Sequence, residues 1–412
     1  MRYGLIGERL SHSFSKEIHE AIADYQYELC EIAPSELEEF FKKREFCAIN
    51  VTMPYKKEVI PFLDFISPVA SELQAVNTVV NRHGKLCGYN TDYFGMRGLL
   101  SRSKIDIQGK KVLILGTGGT ARTSALAAKD LGATEIYIVS RAQKDGAITY
   151  EEAISLHRDA QIIINTTPVG MYPKSYDIPL DLEEFDHLLG VFDAVYNPLH
   201  TPLTLEAKNR GIYSEGGLYM LVIQAVRAVE LFLDAEIETA KCDEVFKKIL
   251  KEKENIVLIG MPSSGKTTVG NILAQRLERE LYDLDDEIEK HIGCSISDYF
   301  ESHTENEFRD VESVITKEIS MKTGVIIATG GGCILRTSNI NALRSNGRLY
   351  FIDRDLNRLI PTHSRPLARG RNDIEKLYRL RYHLYQSFSD AQIDGDLEPD
   401  AVADLIGEEF YK

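Results

Sequence analysis

The segment Gly260-Met-Pro-Ser-Ser-Gly265-Lys266-Thr267 has the spacing of a loop built to hold phosphate. Backbone N–H groups along Ser263, Ser264 and Gly265, with the helix start at Thr268, can surround the phosphates of ATP. Lys266 can reach the terminal phosphates and the Thr267 hydroxyl can help hold Mg²⁺. The chemistry is phosphoryl transfer, driven by positioning and charge. Further on, Asp283-Leu-Asp285 ends a strand pattern whose alternation puts both carboxylates on one side. One of Asp283 and Asp285 can then serve the metal and the other an acceptor hydroxyl, although Asp-x-Asp alone more often marks a solvated strand end. Three glycines, Gly330 to Gly332, permit close approach of a ligand and equally fit a flexible loop. Arg309, Arg358, Arg365 and Arg381 are chemically suited to anions, while solvation is the default for each taken singly.

A second glycine turn, Gly116-Thr117-Gly118-Gly119-Thr120, follows the apolar run Lys111 to Leu115 and opens a helix pattern. That arrangement suits the pyrophosphate of a dinucleotide. The next strand pattern ends in Ser140-Arg141, with no carboxylate to bond a free ribose 2′-hydroxyl, so NADP is favoured over NAD. Earlier still, Ser13-Phe-Ser15 reads as a helix cap, and Lys56 falls just beyond a strand end. Ala75-Val-Asn77-Thr and Asn90-Thr-Asp92 read individually as turn chemistry.

Short apolar runs that alternate with amphipathic stretches must position these residues, a pattern of α/β layers with mainly parallel sheets. Candidate strands are Tyr3 to Gly7, Ala48 to Thr52, Lys111 to Leu115, Ile136 to Val139, Ile162 to Asn165, Val191 to Ala194, Ile256 to Ile259, Val325 to Ala328 and Leu349 to Ile352. A chain of 412 residues predicts two or three domains. The charged run Phe246 to Asn255 reads as a frayed helix end plus a linker and marks the main boundary. A net charge of −15 argues against nucleic acid and anionic membrane surfaces as partners. The six cysteines include no Cys-x-x-Cys pair, and no apolar run reaches the length of a membrane span; both point to reduced thiols in the cytoplasm.

In combination, the phosphate loop, Asp283-x-Asp285, Phe308-Arg309, the Gly330 triplet, Arg365-Pro366-Leu367 and Arg381-x-x-Leu-Tyr385 resemble shikimate kinases over about residues 254 to 412. The resemblance implies that Asp285 holds the shikimate hydroxyls and can act as base, and that Arg309 and Arg381 clamp the carboxylate. It places Gly331 in the same pocket and Arg358 and Arg365 on a lid over ATP. Thr304 stands where these kinases usually carry Gly.

Residues 1 to about 240 resemble shikimate dehydrogenase through Ser13-x-Ser15, Asn50-Val-Thr-x-Pro-x-Lys56, Ala75-Val-Asn77-Thr, Asn90-Thr-Asp92, Gly116-x-Gly-Gly, Asn165-Thr-Thr-Pro-x-Gly-Met171, Tyr196-Asn-Pro198 and Gly216-Gly-Leu-x-Met-Leu-Val-x-Gln224. This implies that Ser13, Ser15, Thr52, Asn77, Tyr196 and Gln224 hold the substrate, that Gly217 borders the cofactor, and that Lys56 and Asp92 form the catalytic pair beside NADPH. The expected architecture is α/β: a split substrate domain (1–100 and 217–245), a Rossmann-like NADP domain (101–216), a linker (246–254) and a P-loop NTPase-like kinase domain with a parallel sheet (255–412). The leading reading is a bifunctional enzyme that reduces 3-dehydroshikimate to shikimate and phosphorylates it. A sensor in which one module only binds, or a first module that takes quinate, are the competing readings.

Overall fold

The computed structural model describes residues 2–10, 13–103, 105–142, 146–361 and 370–412. Two compact units divide the chain, residues 1–249 and 250–412.

The first unit contains two six-stranded sheets. Strands β1 (Tyr3–Gly7), β2 (Glu28–Glu31), β3 (Ala48–Val51), β4 (Phe65–Ile66), β5 (Thr78–Arg82) and β6 (Lys85–Tyr89) form one, in the order β2-β1-β3-β5-β6-β4. This sheet is mixed, an exception within an architecture whose sheets are mainly parallel as expected. β5 runs antiparallel to both β3 and β6. The reason is local: His83 and Gly84, both at positive φ, turn β5 straight back into β6, a hairpin that needs no crossover helix.

Strands β7 (Lys111–Leu115), β8 (Glu135–Ser140), β9 (Ile148–Thr149), β10 (Ile162–Asn165), β11 (Gly190–Asp193) and β12 (Tyr213–Glu215) form the second sheet, ordered β12-β11-β10-β7-β8-β9 and parallel throughout. That is the doubly wound order, with the crevice at the switch point beyond the C-terminal ends of β7 and β10. β7 and β10 read as near-continuous aliphatic runs because helices cover both faces of this sheet. The helix Leu218–Leu233 then packs on the helices Asp92–Arg102 and Ser15–Ile22, and Ala228 and Phe232 join Leu5, Ala48 and Val80 of the first sheet in one core.

The second unit holds β13 (Asn255–Ile259), β14 (Leu281–Asp283), β15 (Ile326–Ala328), β16 (Gly347–Asp353) and β17 (Ala391–Asp394), a parallel sheet ordered β14-β15-β13-β16-β17. Every residue of the central strand β13 is buried.

The run Phe246 to Asn255 is not a frayed helix end, although the division between the two units, between residues 249 and 250, falls within it. It is the last part of an ordered helix, Thr239–Lys253, with β13 beginning at Asn255. Cys242, Val245 and Ile249 are buried at helical spacing, an apolar stripe that holds this charged segment in register.

Candidate active sites

In the first unit, Lys56 lies in the turn beyond β3 and Asp92 is the first residue of the helix Asp92–Arg102. The positive end of that helix favours a carboxylate. The Lys56 Nζ and Asp92 Oδ2 atoms are 2.6 Å apart, in a pair partly open to solvent. Asn77, at the entrance to β5, fixes the other carboxylate oxygen: its Nδ2 donates to Asp92 Oδ1 at 2.9 Å and to Gln224 Oε1 at 3.4 Å. The Asn77 side chain is held in turn by the Thr91 backbone N–H, which donates to its Oδ1 at 2.7 Å. Sequence reasoning missed Thr91 and also Asn50, which lies inside a recognised motif; the Asn50 Nδ2 donates to the Asn77 carbonyl at 3.2 Å. Thr52 follows β3 directly, with Gly7 packed so close that a Cβ there would sit 2.6 Å from the Thr52 methyl.

Ser13 and Ser15 form a second group. Their hydroxyls are 3.0 Å apart, and the Ser13 Oγ also accepts the Ser15 N–H, so Ser13 supplies the cap-like bond although Phe14 occupies the cap position. Burial pushes the Tyr196 phenol upward, and a hydrogen bond to Ser13 partly offsets it.

Beyond β7, Gly116 has φ = 109°, and a Cβ there would lie 2.9 Å from the Thr166 hydroxyl, so glycine is required. Gly118 caps the helix Gly119–Asp130, and Cβ atoms at Gly118 and Gly119 would meet nothing within 4 Å. Thr117 is exposed beside them and Thr120 half-buried, an open helix N-terminus that fits a pyrophosphate. Ser140 ends β8 and Arg141 stands exposed after it. Gly217 behaves differently. It is buried, and a Cβ there would overlap the Ala194 carbonyl, so packing alone accounts for its lack of a side chain.

Asp193, which drew no attention as sequence, is fully buried at the end of β11 and accepts from Asn165 Nδ2 (3.0 Å), the Val195 N–H (2.9 Å) and Thr201 Oγ1 (2.8 Å). Burial raises its carboxyl to about 7 against the pull of these donors. Through Asn165, whose Oδ1 accepts both the N–H and hydroxyl of Thr167, it holds the loop that faces Gly116.

In the second unit the phosphate loop, Asp285, the glycine triplet, Arg309 and Arg381 line one cleft of about 570 Å³. Gly260, Ser263 and Gly265 all take positive φ, which turns the loop so that Gly265 caps the helix Lys266–Leu277. Lys266 is buried, and its Nζ donates to the carbonyls of Gly260 (2.9 Å) and Met261 (2.8 Å). Ser264 is buried as well and Thr268 borders the cleft. Thr267 Oγ1 and Asp283 Oδ2 are 2.6 Å apart, two hard oxygen donors that fit a Mg²⁺ completed by phosphate and water.

The two aspartates do not share a strand face. β14 ends at Asp283, which caps the helix Leu284–Ile292 and accepts the Asp285 N–H at 3.0 Å; Asp285 is on that helix. Capping chemistry therefore overrides the alternation inferred from Asp-x-Asp, yet both carboxylates line the cleft.

The glycine triplet proves to be a packing device. A Cβ at Gly330 would lie 2.6 Å from Asp285 Oδ1, one at Gly331 would lie 2.9 Å from Pro262, and one at Gly332 would overlap the Arg309 guanidinium. The Gly331 carbonyl accepts from Arg381 Nη1 at 3.0 Å and from the Tyr385 hydroxyl at 2.5 Å. Arg309 bonds Glu312 (2.8 Å) and Glu305 (3.1 Å). Burial opposes the Arg309 charge, but these ion pairs more than offset it; burial also pushes the Glu312 carboxyl up. Burial lowers the pKa of Arg381, and the charge of Arg309 adds to that. The Nε atoms of both arginines are buried without a hydrogen-bond partner among the described residues, which suits an anion shared between them. Glu312 was missed in the sequence, where its only signal is the i, i+3 spacing from Arg309.

Arg358 lines a neighbouring cavity of about 380 Å³ and pairs with Asp396 at 3.5 Å, so it belongs to that wall and not to the cleft. Arg365 lies outside the described residues. Thr304, the departure from the usual glycine, caps the helix Glu305–Ser320 in a reciprocal capping box with Glu307.

Over 253 residues the chain is 39% identical to the shikimate dehydrogenase (NADP(+)) of Clostridium beijerinckii, covering 57% of this chain and 93% of that protein. The chain belongs to the shikimate dehydrogenase family. A family model for the shikimate dehydrogenase substrate binding domain matches residues 5–79, and one for shikimate kinase matches residues 262–410. Among solved structures, shikimate dehydrogenase 1 of Peptoclostridium difficile aligns with a TM-score of 0.56 at 35% identity, over 60% of this chain and 98% of that one. The Thermus thermophilus shikimate 5-dehydrogenase in complex with NADP(H) and shikimate aligns with a TM-score of 0.55 at 29% identity, over 60% and 99%. With a dehydrogenase unit and a kinase unit in one chain, this is a bifunctional shikimate-pathway enzyme.

Proposed function

We propose that the dehydrogenase unit reduces 3-dehydroshikimate to shikimate and that the kinase unit phosphorylates the hydroxyl so formed. NADPH, when bound, supplies the hydride to the carbonyl carbon. Lys56, oriented by its 2.6 Å pair with Asp92, gives the proton that the carbonyl oxygen takes up. Asn77 holds Asp92 and, with Gln224, the substrate hydroxyls, while Ser13, Ser15 and Tyr196 take the substrate carboxylate. The exposed Arg141 suits a 2′-phosphate, which supports NADP over NAD.

In the kinase cleft Arg309 and Arg381 fix the shikimate carboxylate and Asp285 accepts the proton of the attacking hydroxyl. That hydroxyl oxygen bonds to the γ-phosphorus of ATP as the bond to the β-γ bridging oxygen breaks, and ADP leaves with the electron pair. Mg²⁺, held by Thr267 and Asp283, would neutralise phosphate charge. The substrate domain comprises about 1–100 with 217–245 and the NADP domain 101–216, in a cytoplasmic enzyme.

The observation that carries this reading is one cleft joining a phosphate loop, a carboxylate and two buried guanidinium groups, the complement of a hydroxylated carboxylate. To test it, 3-dehydroshikimate, NADPH, Mg²⁺ and ATP are supplied together while NADPH oxidation and ADP release are recorded. Both signals are expected, with ADP release lagging; omission of NADPH should silence it and added shikimate restore it. ADP release that ignores both would defeat the proposal.

A further inference from the structure

Two cavities among the described residues of the kinase unit share Gly265 and Arg354. One cavity holds the acceptor groups, and the other is walled by Ile360, Leu397, Pro399 and Asn357, surroundings suited to a nucleotide base. A nucleotide whose base sits in the second and whose terminal phosphate reaches the first must cross between Gly265 and Arg354.

Arg354 follows β16 immediately, at the C-terminal edge of the strand paired with β13, which leads into the phosphate loop. Its Nη1 lies 3.9 Å from the Cβ position of Gly265, the residue that caps the helix Lys266–Leu277. Its Nε is buried without a hydrogen-bond partner among the described residues. The flanking carboxylates are engaged elsewhere: Asp353 Oδ2 accepts from Tyr382 and Gln392, and Asp355 Oδ1 accepts the Asn357 N–H. Of the other arginines of these walls, Arg358 pairs with Asp396, while Arg309 and Arg381, whose Nε atoms are likewise buried without a hydrogen-bond partner among the described residues, stand on the acceptor side of the cleft.

We propose that Arg354 is a phosphate-binding residue of the kinase site, its guanidinium binding the β- and γ-phosphate oxygens held over Gly265. A fixed fork of N–H donors beside a helix N-terminus matches phosphate oxygens in geometry and sign. The assignment rests on the kinase reading given above and adds a cationic side chain, in addition to Lys266, among the described residues.

The test is calorimetric titration of the full chain with AMP, ADP and a non-hydrolysable ATP analogue in Mg²⁺, for wild type, Arg354→Gln and Arg354→Lys. The Gln variant should lose about tenfold or more in affinity for the ATP analogue while AMP binding changes about twofold or less. Lys should recover part of the loss. Equal weakening of AMP and the analogue would make Arg354 a base or ribose contact, and an unchanged analogue affinity would remove it from the site; either overturns the assignment. An unfolded Gln variant leaves the Lys variant to decide, since loss of the fork alone must then show as a selective loss of analogue affinity. Wild type that binds no ATP analogue would instead sink the kinase reading.

Discussion

Lys56 and Asp92 are far apart in the chain and meet because a strand end and a helix start converge, with Asn77, itself held by the Thr91 N–H, fixing the carboxylate. The same unit buries a residue with no catalytic part. His19 is wholly buried, stacked on Tyr27 at 4.0 Å between ring centroids, with Nδ1 at 2.7 Å from the Tyr25 hydroxyl. Burial lowers its pKa from 6.5 to about 3. Between those values the unfolded chain binds a proton that the folded chain refuses, so the contribution of His19 to stability is full above about 6.5 and is lost as pH falls toward about 3. The slope from this one group is at most about 1.4 kcal/mol per pH unit. His19→Gln should therefore flatten the fall in urea midpoint between pH 7.5 and pH 5, read by shikimate oxidation, which reports the dehydrogenase unit. An unchanged pH slope would mean that His19 is not the group responsible.

Among the elements, the loop after β15 shows how a composition becomes a site. Its three glycines look interchangeable in the sequence, yet each leaves room for a different neighbour: Asp285, Pro262 and Arg309. Gly332→Ala should push the Arg309 guanidinium off its position and raise KM for shikimate about tenfold or more, while KM for ATP moves little. If instead both constants rise together, the loop has shifted as a body and the local explanation fails. The helix Glu305–Ser320 starts at Thr304 through a capping box, which restrains Arg309 in its first turns. Its one-residue departure from the family pattern thus keeps a capped helix start, which differs from a glycine cap by only about a few tenths of a kcal/mol.

For the whole molecule, the active-site residues named for each reaction belong to separate units. Lys56→Met should lower dehydrogenation about a hundredfold or more and leave phosphorylation of added shikimate intact. Lys266→Ala should do the reverse, by a similar factor. Loss of both activities from either change would show that the two sites act as one. The strands were legible because buried parallel strands are short aliphatic runs, and β1, β7 and β10 lie where those runs stand. The phosphate loop, the second glycine turn, Lys56, Asp92, Arg309 and Arg381 could be proposed from the sequence because phosphate, hydride and carboxylate chemistry allow few residue types at fixed spacings, and the structure brings Lys56 to Asp92 and the loop, Arg309 and Arg381 to one cleft. Short or polar strands such as β2, β12 and β17 carry no such run, and the β5–β6 hairpin turns on His83 and Gly84, a weak local signal. The frayed end inferred from charge at Phe246 to Asn255 is helix instead, because Cys242, Val245 and Ile249, buried on one helix face, outweigh many exposed charges. What the chain itself determines is the list of candidate reacting groups and the strands that carry them. Folding alone decides that Asp285 leaves the strand for a helix, that Glu312 and Asp193 become buried partners, and that Arg354 stands between two cavities. Those outcomes depend on which groups lose water together, and that is settled by packing across elements distant in sequence.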